Sequence, residues 1–280
     1  MIARAVAPAA GTVLNALANG YGSAFAIDAH TEATVELDDS GSVSGEIDGA
    51  ENADTRLIER CVELTVERFG DGQGGHVRTE SDVPMASGLK SSSAAANATV
   101  LATLEALGVD IEREDACRIG VEAARDADVT VTGAFDDASA SMLGGVTVTD
   151  NTRDELIRRD EPDWDVLVYT PDERAFSADA DVSRCERIAP MADIVYELAA
   201  DGEYEPAMAV NGFAFCAALD YPTEPLVEAL PAATASLSGT GPSYTAVGDR
   251  ESLESLEEVW SRREGHTWLT TTQASGATVP

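Results

Sequence analysis

Apolar positions along the 280-residue chain recur with two different periods. In the first 35 residues they alternate weakly and are broken by small residues. Val6-Ala7-Pro8-Ala9-Ala10-Gly11-Thr12-Val13 and Gly20-Tyr21-Gly22-Ser23-Ala24-Phe25-Ala26-Ile27 read as a strand, a glycine-rich turn and a second strand. Segments 32–37 and 42–47 flank Asp38-Asp39-Ser40-Gly41 and are expected to pair as a hairpin. The period then changes. Over Asp54–Phe69, Leu57, Ile58, Cys61 and Leu64 share one helical face, and Gly70 ends the run. Residues 76–81 alternate like a strand, and an alanine-rich helix then runs from the serines at 91–93 to a stop at Gly108.

A further helix is expected over Arg113–Asp126, and Val129-Thr130-Val131-Thr132-Gly133 reads as a strand end leading into Asp136 and Asp137. A strand starts at Gly144-Gly145-Val146. The charged stretch around 150–163, ending in Pro162, marks a boundary between domains 1–155 and 156–280. The second domain reads as a strand (164–169), helices (185–201 and 205–219), a Gly/Ser loop (237–243), a helix (251–263) and a Thr-rich end, which fits a small α+β sandwich.

Charge narrows the function classes. Eighteen basic residues face 51 acidic ones, a formal −33. Such a chain is repelled by phosphate backbones and anionic lipid, so neither nucleic acid nor membrane is an expected partner. There is no 18-residue apolar run and no charged-then-apolar leader, so a cytoplasmic location is expected. All basic residues but Lys90 are arginine, and aromatics are only 5%. This composition resembles the cytoplasmic proteins of salt-accumulating halophiles, in which molar salt shortens the Debye length to about 3 Å and screens self-repulsion. Cys61, Cys117, Cys185 and Cys216 and the three histidines lack metal-ligand spacing, so reduced thiols and no zinc site are expected.

The chemistry concentrates at 84–94. A Gly/Ser loop opening a long helix offers unpaired backbone N–H groups and the positive end of the helix dipole to an anion. Gly88 permits close approach, Ser91, Ser92 and Ser93 add hydroxyls, and Lys90 supplies the chain's one side-chain ammonium. Serines capping a helix and a solvated lysine would give the same residues, and the spacing is not that of a P-loop. Read whole, Pro84-Met85-Ala86-Ser87-Gly88-Leu89-Lys90-Ser91-Ser92-Ser93-Ala94 resembles the phosphate loop of the GHMP kinases. Ala7-Pro8-Ala9-Ala10-Gly11-Thr12 resembles that family's first motif, beside the acceptor substrate. Leu237-Ser238-Gly239-Thr240-Gly241-Pro242-Ser243 resembles its third, behind the phosphate loop.

The resemblance implies a two-domain α+β fold, with a ribosomal protein S5 domain 2-like N-terminal domain and a ferredoxin-like C-terminal one. It implies ATP on Pro84, Ser87, Gly88, Leu89, Lys90, Ser91, Ser92 and Ser93, backed by Gly239 and Gly241, with Mg²⁺ at Ser92. An acid on the following helix would complete the metal site; spacing favours Asp126, with Glu122 the alternative. Adjacent acids are common in so acidic a chain, but Thr132-Gly133-Ala134-Phe135-Asp136-Asp137-Ala138 sets this pair between a strand end and a small-residue helix. The family's catalytic aspartate stands seven residues before a Gly-Gly, and Asp137 holds that spacing. This string and Asn15–Asp28 resemble the archaeal shikimate kinase branch, whereas homoserine kinases carry Asn at the position of Asp137. The implied activity is phosphorylation of the 3-hydroxyl of shikimate by ATP, with Asp137 as orienting group or base and Asn15 and Asp136 at the substrate. A kinase for another small alcohol, of the homoserine or mevalonate type, is the alternative. The substrate carboxylate calls for an arginine, and the sequence does not single one out.

Overall fold

Two sheets, each backed by helices, organise the chain in the computed structural model. The described residues are 1–50, 53–84, 87–130, 133–172 and 181–280, so Met85, Ala86, Val131 and Thr132 of the motif strings lie outside them. The long strands β1 (Ile2–Leu14) and β2 (Tyr21–Asp38) pair antiparallel, with Ile2 opposite Glu36 and Leu14 opposite Ser23. From Ala7 onward every β1 residue is buried. Ala5 and Ala7 belong to one core and Ala9 and Val13 to the other. Both faces of the strand are covered there, which is why alternation is weak and small residues dominate.

The expected 32–47 hairpin does not form. Strand β4 (Gly74–Ser81) lies between its arms, antiparallel to residues 31–38 of β2, and β3 (Val43–Ile47) pairs parallel with β4. Helix α1 (Arg56–Phe69) is the reason. Its buried face, including Leu57, Ile58, Cys61 and Leu64, must lie on the sheet, and a strand–helix–strand crossover that covers a sheet joins parallel strands. Strand β5 (Val146–Asp150) pairs with residues 21–25 of β2, and β6 (Glu155–Asp160) pairs with β5.

Helix α2 (Ser91–Leu107) is buried along most of its circumference. It rests on β1 and β2 and is flanked by α1, α3 (Arg113–Asp126) and α4 (Phe135–Leu143). Its alanines admit these neighbours closely, and Gly108 caps it in the left-handed conformation.

The second sheet is formed by β7 (Asp165–Thr170), β8 (Thr234–Leu237), β9 (Tyr244–Gly248) and β10 (His266–Thr271), in the order β10-β7-β9-β8 with every pair antiparallel. Counted by entry that order is fourth, first, third, second, the ferredoxin-like arrangement. The helix expected over 185–201 is two helices, α5 (Val182–Glu186) and α6 (Ala189–Asp201), because Pro190 has no N–H to continue the first and instead starts the second. Helices α7 (Tyr204–Leu219), α8 (Glu224–Ala229) and α9 (Arg250–Trp260) complete this layer. The chain end returns to the first sheet: Gln273 N–H donates to Ala26 O, and Val6 and Thr278 exchange two backbone bonds.

Candidate active site

Three sequence-distant segments meet at the start of α2. Each carbonyl of residues 87–89 is held from behind. Ser87 O accepts from Ser243 N at 3.1 Å, Gly88 O from Ser238 Oγ at 2.8 Å, and Leu89 O from Ala10 N at 3.2 Å. The motifs around 10 and 238–243 are thus the backing of the loop at 87–90. Gly88 has φ +85°, and a β-carbon there would lie 2.4 Å from Ser238 O and 2.8 Å from Gly241 O, so no other residue fits. The 238–243 loop is itself anchored: Gly239 N–H donates to Thr12 Oγ1 at 2.8 Å, and Asn15 Nδ2 donates to Gly239 O at 2.8 Å.

With its carbonyls engaged behind, the loop delivers the first amides of α2 to the open side. Lys90 is the N-cap, left-handed at φ 63°, and no side chain caps the helix. The N–H groups of Ser91, Ser92 and Ser93 have no intrahelical acceptors. The first turn of α2 holds no acid, whereas α3 carries Glu114 and Asp115 in its first turn. In a −33 chain this local absence keeps the helix N-terminus positive, which suits a phosphate.

Lys90 is not a solvated surface residue. Its side chain is 7% exposed and turns toward α4, where Nζ lies 2.8 Å from Asp137 Oδ1, off the line of an ideal hydrogen bond. Asn97 of α2 adds a second tie, its Nδ2 donating to Ala138 O at 2.9 Å. Helix α2 and the helix bearing the two aspartates are therefore joined at both points. Asp136 points elsewhere and is 4% exposed. Its Oδ1 accepts from Asn151 Nδ2 at 2.7 Å, and its backbone N–H donates to Asn151 Oδ1 at 3.1 Å. Burial pushes its carboxyl up to about 7, the charge of Asp137 adds to the rise, and Lys90 and the Asn151 bond oppose it.

Asn15, Lys90, Ala134, Asp136, Asp137 and Gly239 line one cleft of about 50 Å³. Asn15 serves the scaffold as well as the cleft: its Oδ1 accepts from Leu17 N, and its own N–H donates to Asn211 Oδ1. A more open depression, lined by Asp110, Glu112 and Arg113 among others, sits beyond the far end of α2, about 25 Å along the axis, and holds none of this chemistry.

The metal residues sit less closely together. Ser92 is exposed in the first turn of α2. Asp126 ends α3, with Arg60 Nε donating to it at 2.8 Å, and Glu122 pairs with Arg68. Among the described residues no cluster of three or more His, Cys, Asp and Glu could hold a metal ion. The helix register nonetheless suits a phosphate-bound ion. Gly120 packs on Ala96 and the helices are antiparallel, so six residues on, Asp126 reaches the level of the start of α2. A hydroxyl and one carboxylate beside phosphates are a sufficient protein share for Mg²⁺.

Asn97, Asn151, Gly22 and Arg159 were not singled out from the sequence. Arg159 closes the other end of α4, donating to Leu143 O at 2.8 Å, Gly144 O at 2.9 Å and Ala274 O at 2.9 Å. Gly22 lies within the Asn15–Asp28 string but nothing in that string marks it, and each of the four acts on a partner 15 or more residues away. No described helix is long and apolar enough to cross a membrane.

Comparison with known proteins agrees with this geometry. The model of the GHMP kinases N terminal domain matches residues 56–145. The chain is 64% identical over 281 residues to a shikimate kinase of Halobacterium salinarum, with 99% of each covered. It is 52% identical to a shikimate kinase of Methanococcoides burtonii, covering 92% of this chain and 91% of the relative. Among solved structures, the homoserine kinase of Cytophaga hutchinsonii superposes with a TM-score of 0.78 at 19% identity, covering 100% of this chain and 97% of that one. The mevalonate kinase of Methanococcus jannaschii gives 0.76 at 13% identity, covering 97% and 98%.

Proposed function

The chain belongs to the GHMP kinases, in the group of the archaeal proteins named shikimate kinase, and on that premise we propose that it transfers the γ-phosphoryl group of ATP to the 3-hydroxyl of shikimate. The observation that carries the reading is the 2.8 Å contact between Lys90, at the mouth of the phosphate loop, and Asp137. One ammonium adjoins both the place where a phosphate would sit and the carboxylate that would receive the alcohol.

The chain's own residues divide the work. The amides of Ser91, Ser92 and Ser93 bind phosphate oxygens, with Pro84, Ser87, Gly88 and Leu89 shaping the loop and Gly239 and Gly241 backing it. Lys90 offsets the charge of Asp137 and of the transferred group. Asp137 accepts the hydrogen bond of the 3-hydroxyl and orients its oxygen for in-line attack. Phosphoryl transfer through a loose transition state needs this positioning more than a strong base. Mg²⁺, arriving with the nucleotide, would be held by Ser92 and Asp126 and would neutralise charge on the phosphoryl oxygens. Asn15 and Asp136 complete the acceptor side.

The charge of −33 and the single lysine support a chain that folds in concentrated salt in a cytoplasm. The test is ADP release in 2–3 M KCl with shikimate, homoserine or mevalonate as acceptor. Turnover with shikimate alone is expected, and preference for another alcohol would reject the assignment. A melting temperature unchanged between 0.1 and 3 M KCl would reject the salt dependence.

A further inference from the structure

Two carboxyl groups stand side by side at the start of α4, and among the described residues Lys90 is the cation that faces them. Lys90 Nζ lies against Asp137. Asp136, the more buried of the two, has only neutral hydrogen-bond donors for its carboxyl, the backbone N–H of Asp137 and the side-chain amide of Asn151. That amide cannot turn, because its oxygen faces the backbone N–H of Asp136 and accepts from Thr149 Oγ1 at 2.7 Å. On the remaining side lies bare backbone. A β-carbon at Gly22 would come within 2.5 Å of the Asp136 carboxyl, so glycine there allows strand β2 to press directly on it. The charged groups facing Asp136 are Asp137 on its own helix and Lys90 from the phosphate loop. Strand β2 offers Gly22; β5 and the residue after it offer Thr147, Thr149 and Asn151, none of which titrates.

A buried ionised carboxylate held only by neutral donors and beside another carboxylate is poorly solvated and repelled. A carboxylic acid in the same place is satisfied: Oδ1 accepts from Asn151, and the acid proton can be given to a ligand in the cleft that Asp136 lines. We propose that Asp136 works as a neutral acid that donates a hydrogen bond to the hydroxyl next to the one received by Asp137, so that the pair reads a vicinal diol. This rests on the shikimate assignment. Shikimate offers a 4-hydroxyl beside its 3-hydroxyl; an acceptor with one isolated alcohol does not fill both positions. Asp136 is then a specificity residue, and Asn151 and Gly22 are positioning residues that keep it neutral.

The experiment uses the full chain in 2–3 M KCl, with shikimate and its 4-deoxy analogue as acceptors, from pH 5.5 to 8.5. The wild-type kcat/KM for shikimate is expected to fall above about pH 7, as Asp136 loses its proton. Asp136→Asn, a permanently neutral donor, is expected to lower kcat/KM less than tenfold and to flatten that limb. The 4-deoxy analogue is expected to be at least tenfold poorer than shikimate for the wild type and within threefold of it for Asp136→Ala. An alkaline limb that persists in Asp136→Asn, or full discrimination retained by Asp136→Ala, overturns the proposal. Should Asp136→Ala not fold, the wild-type and Asp136→Asn pH profiles decide alone. Turnover of homoserine or mevalonate but not shikimate by the wild type would overturn the substrate assignment itself, and this inference with it.

Discussion

The phosphate loop and the carboxylate pair face each other across Lys90, yet one is made of backbone and the other of side chains. At residues 87–93 the groups proposed to meet phosphate are main-chain amides, and the supporting contacts end on main-chain carbonyls. At residues 136 and 137 the working atoms are carboxyl oxygens, whose state depends on Asn151, Gly22 and Lys90, from three other parts of the chain. A backbone site tolerates changes of side chain but not of conformation. A carboxyl site tolerates small shifts of backbone but not a change of charge.

The largest effects should arise where the two materials meet. Asp137→Asn keeps the shape and removes the charge, and kcat is expected to fall 10²–10⁴-fold with little change in the KM for ATP. Retention of more than about a tenth of the wild-type kcat would remove Asp137 from the role given to it. Lys90→Met should cost about 10² in kcat, because it leaves the half-buried Asp137 without its cation beside the transferred group. Equal loss in Lys90→Arg would show that shape matters as much as charge.

The backbone side gives the next effect. Gly88→Ala places a methyl 2.4 Å from Ser238 O at a positive φ, a strain on the order of 1–3 kcal/mol. The KM for ATP should rise about tenfold or more, with the kcat of the bound complex less affected. A fall in kcat alone would erase the distinction between the two halves.

The smallest effect reads the carboxyl side without catalysis. Asp136 has its folded-state value raised to about 7 from 3.8, so the folded chain holds this proton more tightly than the unfolded one. Its contribution to stability is full below about pH 4 and is lost as pH rises toward 7. Asp136→Asn should remove that loss and raise the melting temperature by a few degrees more at pH 8 than at pH 5, in constant salt. An equal shift at both values would mean that Asp136 is ionised throughout.

The same contrast explains what was legible from the chain. The loop could be read because its requirements are local: glycine where φ is positive, serines at a helix start, alanines where neighbours press close. Helix α3 falls at its expected limits, Arg113–Asp126, because its apolar period and charged ends lie within one segment. The β2–β3 hairpin expected from the two segments does not form, because the burial of α1 places β4 between them, a constraint neither segment carries alone. Asn151 carried no local signal at all, being an ordinary polar residue after a strand until Asp136 meets it across 15 residues.

The order of residues alone determined the alternation of strands and helices, the glycine–serine loop, the spacing of Asp137 before Gly144-Gly145 and the acidic surface, since each follows from neighbours within a few positions. Only the tertiary structure decided that Lys90 serves Asp137 rather than solvent, that Asn15 braces a glycine loop 224 residues away, and that Asp136 packs against Gly22 with neutral donors alone. Charge and protonation depend on which groups are brought within a few ångströms and how much water is excluded, and packing between distant segments sets both.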